Sequence, residues 1–242
     1  MKVEKAKLLN KSSMKKKFNR DGFIVLKNEI PKNLLYKIRK DWNKAFISKT
    51  SVNMNDGIKK LNKKNKSQLH QMCLDLPKSN NFLKVSDIVS KRYAQLYNKK
   101  TIFCLDISLL PRIPKDKRLI YNFHQENHYY PNNKNVLTVY FPIFFNANKK
   151  NGSMSALSGS HKIGKIKKIK AIGKKNGFTS FLPINIENIK KKYDEIIFEA
   201  KVGDVVYFHQ NLLHKSNFNF TNNCRIIGQF RLSDNFKNFE KY

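Results

Sequence analysis

The stretch VGDVVYFHQNLLHKSNFNFTNNCRIIGQFRL, residues 202–232, decides the fold of this chain. Residues 205–208 and 225–232 are short runs of β-branched, aromatic and aliphatic residues bounded by glycine- and asparagine-rich turns, as is typical of β-strands. Similar runs occur earlier in the chain, at residues 21–26, 102–105, 119–123, 136–145, 154–157 and 195–200. This series of roughly eight short strands predicts a double-sheet jelly roll.

The first third of the chain has helical periodicity instead. Apolar residues recur at helical spacing after Pro31, which predicts an amphipathic helix over residues 32–47. A second apolar stripe predicts another helix over residues 82–97. The predicted fold class is therefore mostly β with flanking helices (α+β). Its core is a double-stranded β-helix, a cupin-like jelly roll, and the helices cover one face of that core.

Three segments show no clear period. Residues 1–17 are basic and weakly apolar, so we expect a frayed end or a short helix. Residues 48–67 are rich in Asn, Lys and Ser and predict an exposed loop, and residues 162–176, rich in Lys and Gly, predict a loop between the two halves of the strand region.

The length of 242 residues suits one large domain. We expect a single domain over residues 1–242, with a mainly helical part at residues 1–100 and the jelly-roll core at residues 101–235.

The composition excludes several classes of protein. With 40% hydrophobic and 12% aromatic residues, the chain is not a disordered polymer. The longest apolar run, residues 136–145, is much shorter than the roughly 20 residues of a membrane-spanning helix, and the N-terminus shows no apolar segment typical of a secretory signal. Three widely spaced cysteines without a Cys-x-x-Cys pair favour neither a disulfide framework nor a zinc knuckle, so we expect a cytoplasmic protein.

The net charge allows three interpretations. The chain has 49 Lys and Arg against 17 Asp and Glu, a formal charge of +32, which attracts nucleic acid, anionic lipid or an anionic substrate. The excess is almost all lysine, is spread along the whole chain and accompanies abundant Asn and Ile, a composition that an AT-rich genome produces by default. We favour composition bias over an anionic small-molecule or lipid substrate, and we expect no specific nucleic-acid partner.

His124, Glu126 and His214 are candidate metal ligands. His124 and Glu126 end a predicted strand, where residues i and i+2 point to the same face, so that imidazole and carboxylate can converge on one ion. His214 ends another strand region far along the chain and can supply the third donor. Two histidines and one carboxylate form the facial triad of non-haem Fe(II) oxygenases, which leaves positions open for a cosubstrate and O₂. A histidine beside a solvated glutamate is the alternative interpretation of the tripeptide alone.

Arg225 and Ser216 extend this set. Arg225 begins the next predicted strand after a polar turn, so we expect it beside His214 on a neighbouring strand, where its guanidinium can clamp a carboxylate bidentately. Ser216, two residues after His214, points the same way and can donate its hydroxyl to that carboxylate. Together with the metal donors, these residues predict an anchor for a 2-oxo acid; a structural arginine paired with an aspartate is the alternative.

At these residues the chain resembles the phytanoyl-CoA dioxygenase (PhyH) family of Fe(II)/2-oxoglutarate oxygenases. The resemblance runs from Phe18 to about Leu232 and includes the segments FNRDGFIVLKN, FHQENHYYP, NGSMSALSGSHKIG and VGDVVYFHQNLLHKSNFN followed by Arg225. The first segment is unspecific, whereas the other three, in this order and spacing, are together specific.

The resemblance implies particular roles and an activity. His124, Glu126 and His214 would bind iron, and Arg225 with Ser216 would hold the C5 carboxylate of 2-oxoglutarate. The implied enzyme couples oxidative decarboxylation of 2-oxoglutarate to hydroxylation of a C–H bond with O₂, with Fe(II) as cofactor. Family members commonly have Asp in place of Glu126, but Glu is still an oxygen donor, so hydroxylase chemistry is expected; Gly or Ala there would indicate a halogenase.

His128, Tyr129 and Tyr140 are candidate substrate-pocket residues. His128 shares the predicted strand face of the first two ligands, and the tyrosines can line the pocket beside the metal, with ordinary core packing as the alternative. We expect a small-molecule or lipid-like substrate. Two other classes stay open: a basic, nucleic-acid-associated oxygenase, and a non-catalytic jelly-roll binding protein.

Overall fold

The computed structural model of the chain describes residues 11–117, 120–175 and 178–237. The helices are α1 (Lys11–Asp21), α2 (Lys32–Thr50), α3 (Met54–Lys64), α4 (Lys66–Asp75), α5 (Asn80–Leu83), α6 (Val85–Tyr97) and α7 (Ile186–Lys190). The strands are β1 (Phe23–Leu26), β2 (Phe103–Arg112), β3 (Leu137–Pro142), β4 (Ser155–Leu157), β5 (Lys168–Lys175), β6 (Phe178–Pro183), β7 (Glu195–Ile197), β8 (Val205–His209), β9 (His214–Lys215) and β10 (Arg225–Ser233). Among the described helices, none is both long and apolar enough to cross a membrane.

Two antiparallel sheets form the core. Five strands pair in the order β1-β8-β3-β10-β2, three pair in the order β7-β4-β9, and β5 pairs with β6. Tyr140 and Ile227 of the larger sheet share one buried apolar cluster with Ala156 of the smaller sheet, so the two sheets pack face to face. This is the predicted jelly roll with flanking helices, and the predicted fold class is confirmed.

Both faces of the five-stranded sheet pack against apolar side chains. Along β8, Val205 and Tyr207 belong to the apolar cluster that contains Trp42 of α2, whereas Val206 and Phe208 belong to the cluster between the sheets. Successive side chains of a strand point to opposite faces, so one strand contributes to both clusters. The same alternation on β10 determines which of its residues enter the space between the sheets.

The expectation of an exposed loop at residues 48–67 is wrong, because α3 and α4 occupy most of this segment. The Asn53 side chain accepts a hydrogen bond from the backbone N–H of Asp56 at 3.1 Å, which caps α3. That helix buries Ile58 and Leu61, three residues apart. Lysine is a good helix former, so a short apolar stripe with a cap is enough once the core receives it.

The strand pairing in the structure also accounts for other differences from the predicted loops and strands. The expected loop at residues 162–176 contains β5, whose backbone is paired with β6, a strand that was not predicted. β2 continues past the predicted 102–105 to Arg112 and includes Pro111, which is tolerated because β2 lies at the sheet edge. Of the expected strand at 119–123, residues 120–123 are not a strand, and residue 119 lies outside the described residues, as do residues 1–10.

Gly228 is required by the close packing of β10 against Phe141 of β3 and Phe82 of α5. A Cβ atom at this position would overlap the Phe141 ring and lie 2.8 Å from the Phe82 ring. The Phe82 and Phe230 rings stack with centroids 5.2 Å apart, so the aromatic side chains have little room to shift. We expect Gly228→Ala to lower the free energy of unfolding by about 1–3 kcal/mol, measured by chemical denaturation.

A double variant separates overlap from a backbone effect. Phe141→Leu alone lowers stability by leaving a cavity, but combined with Gly228→Ala it removes the ring atoms that the new methyl group would overlap. We expect the double variant to cost less than the sum of the two single variants. A Gly228→Ala protein as stable as wild type contradicts this account of the contact.

Candidate metal centre

Three side chains from two distant parts of the chain meet inside the jelly roll. His124, Glu126 and His214 each offer one ligand atom, and these atoms all lie within 4.8 Å of one another. His214 Nε2 is 3.4 Å from Glu126 Oε1, and the two imidazole centroids are 4.2 Å apart. The exposed fractions of His124, Glu126 and His214 are 8%, 1% and 2%, which separates this cluster from the exposed acidic groups common on protein surfaces.

The backbone arrangement differs from the expected one. His124 and His214 form an isolated antiparallel bridge in which each backbone N–H donates to the other carbonyl, at 3.0 and 3.1 Å. Residues 126–128 then form a 3₁₀ turn. The prediction that His124 and Glu126 share a strand face is therefore wrong in its geometry, although the side chains do converge. The turn places the carboxylate where a continuing strand was expected to place it.

Backbone carbonyls hold both imidazole rings. His124 Nδ1 is 2.7 Å from the carbonyl oxygen of Asn122, and His214 Nδ1 is 2.9 Å from that of Leu212. A carbonyl only accepts, so Nδ1 of each ring is the donor to it, and Nε2 is the ring nitrogen that can bind a metal. Burial, and then the neighbouring His214, lowers the pKa of His124 to about 3, so that this ring is neutral at physiological pH, as a metal ligand must be.

An arginine holds the carboxylate. Arg231 Nε donates to Glu126 Oε2 at 2.7 Å, and the same guanidinium pairs with Asp106. Burial alone would raise the pKa of Glu126, but Arg231 and His214 outweigh it and hold that pKa well below its usual value. The donor set is thus two imidazoles and one carboxylate, which fits Fe(II).

The sequence predicted Arg225 on a strand next to His214, and this prediction is wrong. His214 belongs to β9 of the smaller sheet, whereas Arg225 begins β10, whose neighbours in the larger sheet are β2 and β3. Arg225 is 3% exposed, and its Nη1 donates to the Tyr140 hydroxyl at 2.8 Å. Tyr140 belongs to the apolar cluster between the sheets, so Arg225 approaches that space from the sheet opposite His214.

The surroundings of Arg225 favour an anion. Among the described residues, no carboxylate pairs with Arg225, and its Nε has no hydrogen-bond partner. Arg112 stands directly opposite it in the register of β2 and β10 and is 9% exposed. Burial, and then Arg225, lowers the pKa of Arg112 to about 10, and burial lowers the pKa of Arg225 as well. Two like charges opposite each other destabilise the strand pair, and a bound carboxylate would relieve this repulsion.

The other predicted site residues have different surroundings. The backbone N–H of Ser216 donates to Tyr121, and its hydroxyl has no partner among the described residues. The Tyr129 ring stands edge-on to His124 at a centroid distance of 5.7 Å, beside the metal cluster. The Tyr140 hydroxyl contacts Arg225 and Ser153, which places it at the arginine.

His128 does not share a strand face with His124, so that part of the prediction is wrong. It lies in the 3₁₀ turn at 2% exposure, and its Nε2 is 2.9 Å from the carbonyl oxygen of Ile166.

Sequence reasoning missed Arg112, Arg231 and Asp106. A signal for Arg231 was present, since it stands six positions after Arg225 and therefore on the same face of a strand. Asp106 and Arg112 belong to the part of β2 that the sequence did not predict as a strand.

Several solved structures are similar to this chain in fold. The epimerase SnoN, in complex with Fe³⁺, alpha ketoglutarate and nogalamycin RO, is 11% identical over 93% of this chain and 83% of its own, with a TM-score of 0.64. EctD from S. alaskensis, with 2-oxoglutarate and 5-hydroxyectoine, is 14% identical over 96% and 78%, with a TM-score of 0.64. The alpha ketoglutarate-dependent carbocyclase SnoK is 13% identical over 94% and 85%, with a TM-score of 0.60. The fold is thus that of the Fe(II)/2-oxoglutarate-dependent oxygenases.

The particular family follows from the sequence itself. The model of the phytanoyl-CoA dioxygenase (PhyH) family matches residues 18–227. The chain belongs to the PhyH family, as its motifs indicated. No curated protein matches the sequence.

Proposed function

We propose that this chain is a Fe(II)- and 2-oxoglutarate-dependent hydroxylase of a small molecule, working as a single oxygenase domain. One observation carries the proposal: a buried His–Glu–His cluster lies in the same jelly roll as a buried arginine that has no carboxylate partner among the described residues. A metal and a dianionic oxo acid together account for both features, because the donors suit Fe(II) and the guanidinium suits a carboxylate.

The residues have separate roles in this proposal. His124, Glu126 and His214 hold Fe(II), and Arg225, oriented by the Tyr140 hydroxyl, binds the C5 carboxylate of 2-oxoglutarate. The free hydroxyl of Ser216 is available to the same carboxylate. Fe(II), once bound, would supply the chemistry by which O₂ oxidises 2-oxoglutarate to succinate and CO₂, with one oxygen atom entering succinate and the other forming the hydroxyl group of the product.

The protein also provides a pocket for the substrate. Tyr129 stands edge-on to His124, and His128 lies in the 3₁₀ turn that contains Glu126; we propose that both contact the substrate together with Tyr140. The retained carboxylate of Glu126 supports hydroxylation over halogenation.

The charge and the cysteines support the remaining parts of the proposal. Among the side chains whose burial the structure describes, no lysine is buried, whereas Arg112 and Arg225 are, which supports a site whose cations are arginines and a solvated lysine excess. This favours a small-molecule partner over nucleic acid. Cys73, Cys104 and Cys224 are unpaired, which supports a reducing cytoplasm as the compartment.

Anaerobic titration with 2-oxoglutarate in the presence of Fe(II), followed by exposure to O₂ without substrate, tests the function. We expect a metal-to-ligand charge-transfer band on titration and slow release of succinate after O₂ is admitted. Protein treated with a chelator should show neither. A protein that binds Fe(II) but develops no band with 2-oxoglutarate contradicts the proposal.

A further inference from the structure

Arg231 is held between two acids at the edge of the metal cluster. Its Nε donates to Glu126 Oε2 at 2.7 Å, its Nη2 is 3.4 Å from Glu126 Oε1, and its Nη1 pairs with Asp106. The guanidinium carbon also lies 5.6 Å from the centroid of the Tyr130 ring. Three neighbours therefore fix the orientation of one planar group.

The two oxygens of Glu126 have different neighbours. Oε1 faces His214 Nε2 at 3.4 Å, within the cluster of candidate donors, whereas Oε2 accepts the shorter hydrogen bond from Arg231. One oxygen is thus directed towards the proposed metal and the other towards the guanidinium. Glutamate has one more rotatable bond than the aspartate common in the family, so its carboxylate needs an additional constraint to hold one orientation.

We propose that Arg231 is a positioning residue of the metal site: it binds Oε2 of Glu126, orients Oε1 towards the metal, and is itself held by Asp106. This inference rests on the proposed function, because it requires Glu126 to be a metal ligand. Partners that hydrogen-bond to a metal ligand typically change metal affinity about 10- to 100-fold when they are removed.

Arg92 provides a matched control. It forms a comparable ion pair with Glu29, and the side chains are 24% and 8% exposed against 18% and 2% for Arg231 and Glu126. Arg92 lies on α6, outside the metal cluster. Arg92→Met thus removes a partly buried ion pair without touching the proposed site.

The test is the affinity for Fe(II), measured by anaerobic titration of the full chain without 2-oxoglutarate or substrate. We expect Arg231→Met to weaken Fe(II) binding about 10- to 100-fold. Arg231→Lys, which keeps the charge but loses the forked geometry, should have an affinity between those of Arg231→Met and wild type. Arg92→Met should bind Fe(II) as wild type does, even if its unfolding transition is lower.

The outcomes separate this inference from the proposed function. If wild type binds Fe(II) and Arg231→Met binds it equally or more tightly, the positioning role is wrong while the metal site stands. If Arg231→Met does not fold, Arg231→Lys decides: an affinity equal to that of wild type overturns the inference. If wild type and His214→Ala bind Fe(II) equally, the metal site itself is wrong, and the proposed function fails with it.

Discussion

His214→Ala should lose Fe(II) binding and, with it, all turnover of 2-oxoglutarate. His214 offers Nε2 to the cluster while its Nδ1 is bonded to the carbonyl of Leu212, and alanine leaves only two protein donors for the metal. Because removing a mere partner of a ligand costs about 10- to 100-fold in metal affinity, removing the ligand should cost more than about 100-fold. Metal analysis of the purified variant and the succinate assay measure the two effects.

Glu126 refines the same prediction. Glu126→Ala should lose both metal and activity, because it removes the only carboxylate among the three clustered donors. Glu126→Asp should keep partial activity, since aspartate is also an oxygen donor but is shorter by one methylene and reaches Arg231 less well. Wild-type turnover by Glu126→Ala would mean that the carboxylate is not a ligand.

His209→Asn is the matched control for the histidine variant. His209 precedes His214 by five residues and is partly buried, but its ring packs against Phe18 and His161 and is not part of the cluster. Its Nδ1 accepts the backbone N–H of Asn211, a contact that an asparagine oxygen can replace. We expect normal iron content in this variant; iron loss there as well would show that the assay reports damage to the fold.

Arg225→Ala should weaken 2-oxoglutarate binding and leave Fe(II) binding intact. The guanidinium is 3% exposed, and in our proposal it pairs with the distal carboxylate of the cosubstrate. Losing one partner of a buried, charge-assisted pair costs about 2–5 kcal/mol, or roughly 30-fold to several thousand-fold in affinity. Arg225→Lys should recover part of this, because lysine keeps the charge without the fork.

The charge-transfer band under anaerobic Fe(II) gives the affinity of wild type, Arg225→Lys and Arg225→Ala for 2-oxoglutarate. Arg92→Lys, in an ion pair outside the site, serves as the control for arginine replacement in general. Equal affinities of all three proteins would place the anchor elsewhere, with neighbouring Arg112 the next residue to replace.

Local patterns in the sequence were enough to predict much of the fold and the three candidate metal donors. Short, nearly continuous apolar runs at 205–208 and 225–232 predicted strands that the structure contains as β8 and β10, because a strand buried on both faces has apolar residues at successive positions. The apolar stripe at 32–47 likewise predicted α2. The motifs around His124 and His214 selected side chains that do meet, even though the strand geometry invoked for them was wrong.

Tertiary structure alone decided which residues surround those donors. Arg231 reaches Glu126 across 105 positions of sequence, and Arg225 enters from the sheet opposite His214 because β10 pairs with β2 and β3. Periodicity determines the face on which a side chain lies but not which strand lies beside it or which residue stands opposite. Those contacts depend on sheet order and register, which arise from packing and hydrogen bonding between segments far apart in the chain, and so they became visible only in the folded molecule.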